Sequence, residues 1–204
     1  MKKLWLALWV CAALLPRADA LSAAAAVTMD ADTGETLFAE NADSRLPMAS
    51  TTKIMTALVA LGEGDLDRVY TVKKQYAAVE GSSMYLEEGE RLTLRDTLYG
   101  LLLSSGNDAA AAVAGECGGE RAFVDKMNAK ARELGLTDTR FENPSGLPSD
   151  GHYTTARELA KITAAALRDP VFRDIVSTKT CTAAGRTLVN HNRLLSLYED
   201  AIGV

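Results

Sequence analysis

The sequence predicts an α/β fold in which a cluster of helices lies beside an antiparallel sheet. Residues 26–39 alternate apolar and polar side chains on both sides of an Asp-Thr-Gly turn, which is typical of a β-hairpin. After Ser50, several segments instead repeat apolar residues at helical spacing. The chain has 204 residues, and its 48% hydrophobic content is enough for one domain with a sizeable core.

The first 20 residues have the features of a secretory signal peptide. Residues 1–3 are a short basic start, residues 4–15 form an apolar stretch, and Ala18-Asp19-Ala20 fits a cleavage site of small residues. We therefore expect cleavage after Ala20 and an exported domain formed by residues 21–204. No later segment is long and apolar enough to predict a membrane-spanning helix.

Helices are predicted at intervals along the rest of the chain. The first begins at Ser50, because Pro47 comes just before it and apolar side chains at helical spacing follow it. A leucine-rich run over residues 92–103 ends at Ser104-Ser105-Gly106-Asn107, and residues 108–114 predict the next helix. The remaining predicted helices are residues 122–134, residues 156–167 and, after Asp169-Pro170, a short segment at residues 172–176.

The charge and the cysteine positions argue against nucleic-acid binding and against a metal site. The net charge of -5 offers no basic surface for nucleic acid. Cys11 lies within the apolar start of the chain, which leaves Cys117 and Cys181, and both a disulfide and two free thiols remain open for that pair. No cysteine or histidine spacing fits a metal site, so we expect neither a metal nor another cofactor.

The sequence Ser50-Thr51-Thr52-Lys53 pairs a nucleophile with a base at the predicted start of a helix. Residues i and i+3 of a helix lie on one face, so the Ser50 hydroxyl and the Lys53 amine should be within reach of each other. The amine can accept the hydroxyl proton only when it is neutral, which requires burial to lower its pKa from about 10.4. The alternative is that Ser50 caps the helix and Lys53 is a solvated surface lysine.

A second polar motif, Ser105-Gly106-Asn107, lies about fifty residues later at the junction of two apolar helices. The Ser105 hydroxyl could carry a proton between Lys53 and a leaving group. The Asn107 amide could bind a substrate peptide and hold Lys53 in place. A loop in which Asn107 caps the next helix is the simpler alternative, but both motifs in one chain favour a site for acyl transfer.

These motifs and their surroundings resemble the serine-type D-alanyl-D-alanine carboxypeptidases, the low-molecular-mass penicillin-binding proteins, which share a β-lactamase/transpeptidase-like fold. The similar stretches are residues 49–57, 81–86, 105–110, 143–147 and 153–156. The resemblance implies that Ser50 is the acyl-enzyme nucleophile, Lys53 the proton acceptor, Ser105 a proton shuttle and Asn107 a substrate contact. It also implies peptidoglycan stem peptides as substrates and β-lactams as covalent inhibitors.

The family carries a third motif, Lys-Thr-Gly, on a strand that follows an asparagine-rich stretch resembling residues 190–195. No such motif occurs in these 204 residues, because Lys179-Thr180-Cys181 comes before that stretch and has Cys in place of Gly. We therefore expect the C-terminal strands to be missing from this chain, and with them a second oxyanion donor and a cation for the substrate carboxylate. A membrane-binding segment is expected only if one lies beyond Val204.

Three other functions are compatible with parts of the sequence: a class A β-lactamase, a hydrolase with a Ser-His-Asp triad, and an inactive cell-wall-binding protein. A class A β-lactamase is disfavoured because no Glu-x-x-Leu-Asn sequence is present for deacylation and Gly106 stands where that class has Asp. A Ser-His-Asp triad is disfavoured because no Gly-x-Ser-x-Gly sequence occurs, so His152 and His191 are predicted to be structural, with a supporting role near the site open for His152. An inactive cell-wall-binding remnant remains open, as does the choice between carboxypeptidase and endopeptidase.

Overall fold

The structure, a computed structural model, describes residues 22–203, so the predicted signal segment lies outside the described residues. The strands in this part of the chain are β1 (Ala26–Met29), β2 (Thr36–Glu40), β3 (Val69–Thr71), β4 (Arg91–Thr93), β5 (Thr180–Ala183) and β6 (Arg186–Val189). The helices are α1 (Thr52–Leu61), α2 (Lys74–Ala77), α3 (Leu94–Leu103), α4 (Asn107–Glu116), α5 (Glu120–Glu133), α6 (Ala156–Ala166), α7 (Pro170–Ser177) and α8 (Leu194–Leu197). The fold class is α/β, as predicted.

The six strands form three separate antiparallel pairs rather than one sheet within residues 22–203. The β1–β2 pair is the hairpin that the sequence predicts, and β1 packs against α6. The Asp30 carboxylate shapes the turn, because it accepts hydrogen bonds from the backbone N–H groups of Asp32 and Thr33 at 3.0 and 2.7 Å. Gly34 completes the turn with a φ of 76°, in the left-handed region that glycine adopts without strain.

The other two strand pairs were not predicted, and one of them corrects the helix prediction. Leu92 belongs to β4, so the helix within the leucine-rich run begins at Leu94. Thr93 marks that start, because its hydroxyl accepts a hydrogen bond from the Asp96 N–H and the Asp96 carboxylate accepts one from the Thr93 N–H. The β5–β6 pair turns through Ala184 and Gly185, which both have positive φ.

Helix α1 lies at the centre of the described structure and contacts α3, α4, α5, α6 and α7. Eight of its ten residues are buried, so it is enclosed by protein on nearly every side rather than on one face. Lys53 lies in its first turn and is therefore surrounded by protein. This packing explains how a lysine can lose most of its contact with water.

The segment between α5 and α6 is fixed to the protein at both of its ends. At one end, the buried Glu158 carboxylate accepts hydrogen bonds from the backbone N–H groups of Thr137 and Asp138 and from the Thr139 hydroxyl, at 2.6–3.1 Å. At the other end, Thr154 exchanges two backbone hydrogen bonds with Leu46. The residues between these points are thereby held beside the turn that carries Ser50.

No helix within residues 22–203 has the length and apolar character needed to cross a lipid bilayer.

Candidate active site

Ser50 and Lys53 lie side by side at the start of the central helix. Ser50 is in a 3-10 turn, Ala49–Thr51, that leads directly into α1. Lys53 Nζ lies 3.3 Å from Ser50 Oγ, which is the proximity that their spacing predicts. Ala49, just before Ser50, has a φ of 45°, a left-handed conformation that costs energy for a residue with a Cβ. The backbone next to Ser50 is thus under local strain.

The Lys53 amine is enclosed by oxygen acceptors. The residue is 2% exposed, and Nζ donates hydrogen bonds to Asn107 Oδ1 and to the backbone carbonyl of Ser145, both at 2.8 Å. Burial lowers the pKa of Lys53 to about 8, although the negative charge of Asp108 acts in the opposite direction. Close to neutral pH, a useful fraction of the amine is therefore unprotonated.

The two short contacts also orient the neutral amine. An unprotonated amine has two N–H bonds and one lone pair, and Asn107 and Ser145 present oxygens that can only accept hydrogen bonds from it at these atoms. When both N–H bonds point to those oxygens, the lone pair is left for the third neighbour, the Ser50 hydroxyl. The geometry therefore favours transfer of the Ser50 proton to Lys53.

Asn107 is the first residue of α4 and is held from two directions. Its Oδ1 accepts from Lys53, its Nδ2 donates to the Glu80 carbonyl at 2.7 Å, and its backbone N–H donates to the Ser82 carbonyl at 2.7 Å. The residue is 6% exposed. The structure thus shows Asn107 as a support for Lys53, and one N–H of its amide has no partner among residues 22–203.

Ser105 lies in the connection between α3 and α4 and faces the same cavity as Ser50 and Lys53. It has a φ of 55°, a conformation that is uncommon outside glycine. Within the described residues, its hydroxyl makes no hydrogen bond to either Ser50 or Lys53. Ser105 is therefore close to the site without being part of the Lys53 contacts.

Asp108 anchors the segment that flanks Asn107. Its buried carboxylate accepts hydrogen bonds from the Ser83 hydroxyl at 2.6 Å and from the backbone N–H groups of Met84 and Leu86 at 3.0 Å. Gly106 makes room for this contact, because a Cβ there would lie 2.7 Å from Asp108 Oδ1. The glycine in the second motif thus has a structural reason that the sequence alone did not reveal.

The loop around residues 143–152 closes the site from the other side, and its backbone contacts to α1 were not predicted from the sequence. The Ser145 carbonyl binds Lys53, and the Pro144 carbonyl accepts from the Thr56 hydroxyl at 2.6 Å. Asn143 stiffens this loop, because its Oδ1 accepts from the backbone N–H groups of Ser145 and Gly146 at 3.2 and 2.7 Å. The contacts to Lys53 and Thr56 are made by backbone carbonyls, which every residue has, so the residue types of the loop do not predict these contacts. The only available signal was the resemblance of residues 143–147 to the family.

A cavity of about 570 Å³ is lined in part by Ser50 and Lys53. Its lining is both polar and apolar, and includes Ser50, Lys53, Ser105, Asn190, Ile54 and Leu101. Among the residues that the structure describes, no cluster of His, Cys, Asp or Glu side chains fits a metal ion, and Cys117 and Cys181 are both free thiols. The cavity is large enough for a short peptide.

Comparisons with known proteins agree with one another. The sequence model of the D-alanyl-D-alanine carboxypeptidase family matches residues 12–203. The D-alanyl-D-alanine carboxypeptidase of Streptomyces sp. (strain K15) is 38% identical, over 90% of this chain and 71% of the relative. The carboxypeptidase DacF of Bacillus subtilis (strain 168) is 40% identical, over 89% of this chain and 50% of the relative. The crystal structure of a mutant of the Streptomyces K15 DD-transpeptidase aligns with a TM-score of 0.87 at 39% identity, covering 90% of this chain and 80% of that one.

Proposed function

Because this chain belongs to the D-alanyl-D-alanine carboxypeptidase family, we propose that the protein removes the terminal D-alanine from peptidoglycan stem peptides. The chain spans 71% of the Streptomyces carboxypeptidase and 50% of Bacillus subtilis DacF. We therefore propose the activity for the whole gene product. The observation that carries the proposal is the enclosed Lys53 amine, held between Asn107 and Ser145 and 3.3 Å from Ser50 Oγ.

The reaction has two steps. In the first, Lys53 takes the Ser50 proton while Ser50 Oγ attacks the carbonyl carbon of the peptide bond between the two D-alanines. The tetrahedral intermediate collapses as its C–N bond breaks, and D-alanine leaves after its nitrogen receives the proton from Lys53 by way of the Ser105 hydroxyl. In the second step, water attacks the Ser50 ester and gives a proton to Lys53. The bond from the carbonyl carbon to Ser50 Oγ then breaks, Lys53 returns the proton to Oγ, and the shortened peptide leaves with a free carboxylate.

The proposal extends to ligands and location. β-Lactams should acylate Ser50, because their strained amide offers the same carbonyl to the same nucleophile. We assign the second N–H of the Asn107 amide to the substrate backbone, because it is the amide hydrogen that remains after the bond to the Glu80 carbonyl. The signal-like residues 1–20 and a substrate in the cell wall together support action outside the cytoplasmic membrane.

Release of D-alanine from an acylated L-Lys-D-Ala-D-Ala peptide tests the proposed function. The whole gene product should release D-alanine, and Ser50→Ala should release it at least about a thousandfold more slowly. Among residues 22–203, Ser50 is the only serine whose hydroxyl lies within hydrogen-bonding distance of a lysine amine. Ser196→Ala, at an exposed serine of α8, is the control and should be as active as the wild type. A folded wild-type protein that binds the peptide without cleaving it would favour the inactive cell-wall-binding protein instead.

The acylation rate should depend on pH through Lys53. The neutral amine is the active form, and its pKa of about 8 means that the rate rises with pH and levels off above that value. Since each pH unit below the pKa reduces the neutral fraction about tenfold, acylation at pH 6 should be about a hundredfold slower than on the plateau. Labelling with a fluorescent penicillin between pH 6 and 9 measures this profile. A rate that does not change across this range would contradict a lysine base.

A further inference from the structure

His152 is buried beside the site, yet it does not touch the reacting groups. It is 5% exposed, and its ring makes two hydrogen bonds: Nδ1 lies 3.0 Å from the backbone nitrogen of Glu142, and Nε2 lies 2.7 Å from Thr52 Oγ1. A backbone N–H can only donate, so Nδ1 must be the acceptor. In the neutral ring, Nε2 therefore carries the hydrogen and donates it to Thr52. Burial lowers the pKa of His152, with Glu142 opposing, and this favours the neutral ring.

Thr52 lies in the turn that bears the two proposed catalytic residues. It is the first residue of α1, it is completely buried, and it stands between Ser50 and Lys53 in the chain. The loop that contains His152 lies directly on this turn. A Cβ at Gly146 would lie 1.8 Å from the Ala49 carbonyl oxygen and 2.9 Å from Thr52 Oγ1, so there is no free space between the loop and the turn.

Residues 143–152, which we call the clamp loop, make hydrogen bonds to three residues of α1. His152 binds Thr52, the Ser145 carbonyl binds Lys53 Nζ, and the Pro144 carbonyl binds the Thr56 hydroxyl. The contact that matters for chemistry is the one to Lys53, and it lies between the other two along α1. The contacts at Thr52 and Thr56 therefore hold the loop so that the Ser145 carbonyl oxygen stays within hydrogen-bonding distance of Lys53 Nζ.

We propose that His152 is a positioning residue: its hydrogen bond to Thr52 holds the clamp loop on α1 so that the Ser145 carbonyl keeps the Lys53 lone pair directed at Ser50. This inference rests on the proposed function, since it concerns the same nucleophile and base. If the clamp loop moves away from α1, one N–H of the neutral amine loses its acceptor. The amine can then rotate, and its lone pair points at Ser50 for a smaller share of the time.

The test compares Thr52→Val, Thr52→Ser and Thr154→Val in the protein as its gene encodes it. Valine matches the shape of threonine but cannot accept the hydrogen bond of His152, whereas serine can. Thr154 is the matched control, because it is also buried and its hydroxyl lies 2.7 Å from Thr139 Oγ1, away from α1. Each variant is treated with fluorescent penicillin over a range of concentrations, and the acylation rate at saturation is divided by the folded fraction from circular dichroism.

Thr52→Val should lower the saturating acylation rate about tenfold while the apparent penicillin affinity changes less than twofold. Thr52→Ser should stay within twofold of the wild type, and Thr154→Val should acylate normally even where its melting temperature falls as far as that of Thr52→Val. If Thr52→Val does not fold, Thr52→Ala takes its place with the same expected loss.

A Thr52→Val protein that acylates at the wild-type rate would overturn the positioning role, as would a Thr154→Val protein that slows equally. Either result would leave the proposed function intact as long as the wild type is acylated. A wild type that is folded but not acylated at all would instead count against the proposed function itself.

Discussion

Lys53→Ala should reduce the rate of penicillin acylation by about a thousandfold, or about 4 kcal/mol of transition-state stabilisation. The substitution removes the only amine within hydrogen-bonding distance of Ser50 Oγ in the described structure. Because no carboxylate or histidine contacts that hydroxyl among residues 22–203, no neighbouring group can take over as the base. The rate is measured with fluorescent penicillin, after circular dichroism has shown how much of the variant is folded.

Two further variants separate loss of the base from loss of structure. Lys53→Met fills a similar volume without an amine, so it should lose as much activity as Lys53→Ala while restoring part of the packing around α1. Lys74→Ala removes an exposed lysine at the start of α2 and should acylate like the wild type. Near-normal labelling of Lys53→Ala would transfer the role of the base to another group.

Gly146→Ala should both destabilise the protein and stop acylation. Its Cβ would lie 1.8 Å from the Ala49 carbonyl oxygen, and Gly146 has a φ of 89°, which a residue with a Cβ rarely adopts. The clamp loop would have to separate from the turn that bears Ser50, at a cost of about 3 kcal/mol or more in the free energy of unfolding. Chemical denaturation measures that cost, and labelling with penicillin measures the loss of acylation.

Gly135→Ala is the matched control for this substitution. Gly135 also has a positive φ, 70°, but a Cβ there would meet nothing within 4 Å. It should therefore cost only about 1 kcal/mol of backbone strain and leave acylation unchanged. Equal destabilisation of the two variants, with acylation kept in both, would show that the close approach of the clamp loop to Ala49 does not matter.

The sequence predicted the parts of the fold that depend on periodicity. The β1–β2 hairpin and the helices at α1, α5, α6 and α7 all have a run of apolar residues at the right spacing, and each was found close to its expected place. The β3–β4 pair has no such pattern, because its strands are three residues long and are separated by 19 residues. Leu92 illustrates the difficulty, since it continues the leucine pattern of α3 while lying in β4.

The candidate site was predicted in part, and the missing part has a physical explanation. Ser50, Lys53, Ser105 and Asn107 carry their chemistry in their side chains, so their types and spacing could suggest a role. Ser145 contacts Lys53 through its backbone carbonyl, a group that every residue type has, so residue type gives no clue. Ser145 is also 92 residues from Lys53 in the chain, and it reaches the amine because Glu158 and Leu46 hold the two ends of its segment. The β5–β6 hairpin was not predicted either, although Gly185 in its turn is a common turn residue.

The most direct test of the account is to locate the penicillin adduct by mass spectrometry. The protein as its gene encodes it is incubated with penicillin, digested, and compared with Ser50→Ala and Lys53→Ala treated in the same way. We expect one peptide, the one containing Ser50, to gain the mass of an intact penicillin. The adduct should be absent from Ser50→Ala and, in the time that labels the wild type completely, should be far below full yield in Lys53→Ala. An adduct on Ser105 or on any other residue, or one that persists at full yield in Lys53→Ala, would contradict the assignment of Ser50 as nucleophile and Lys53 as its base.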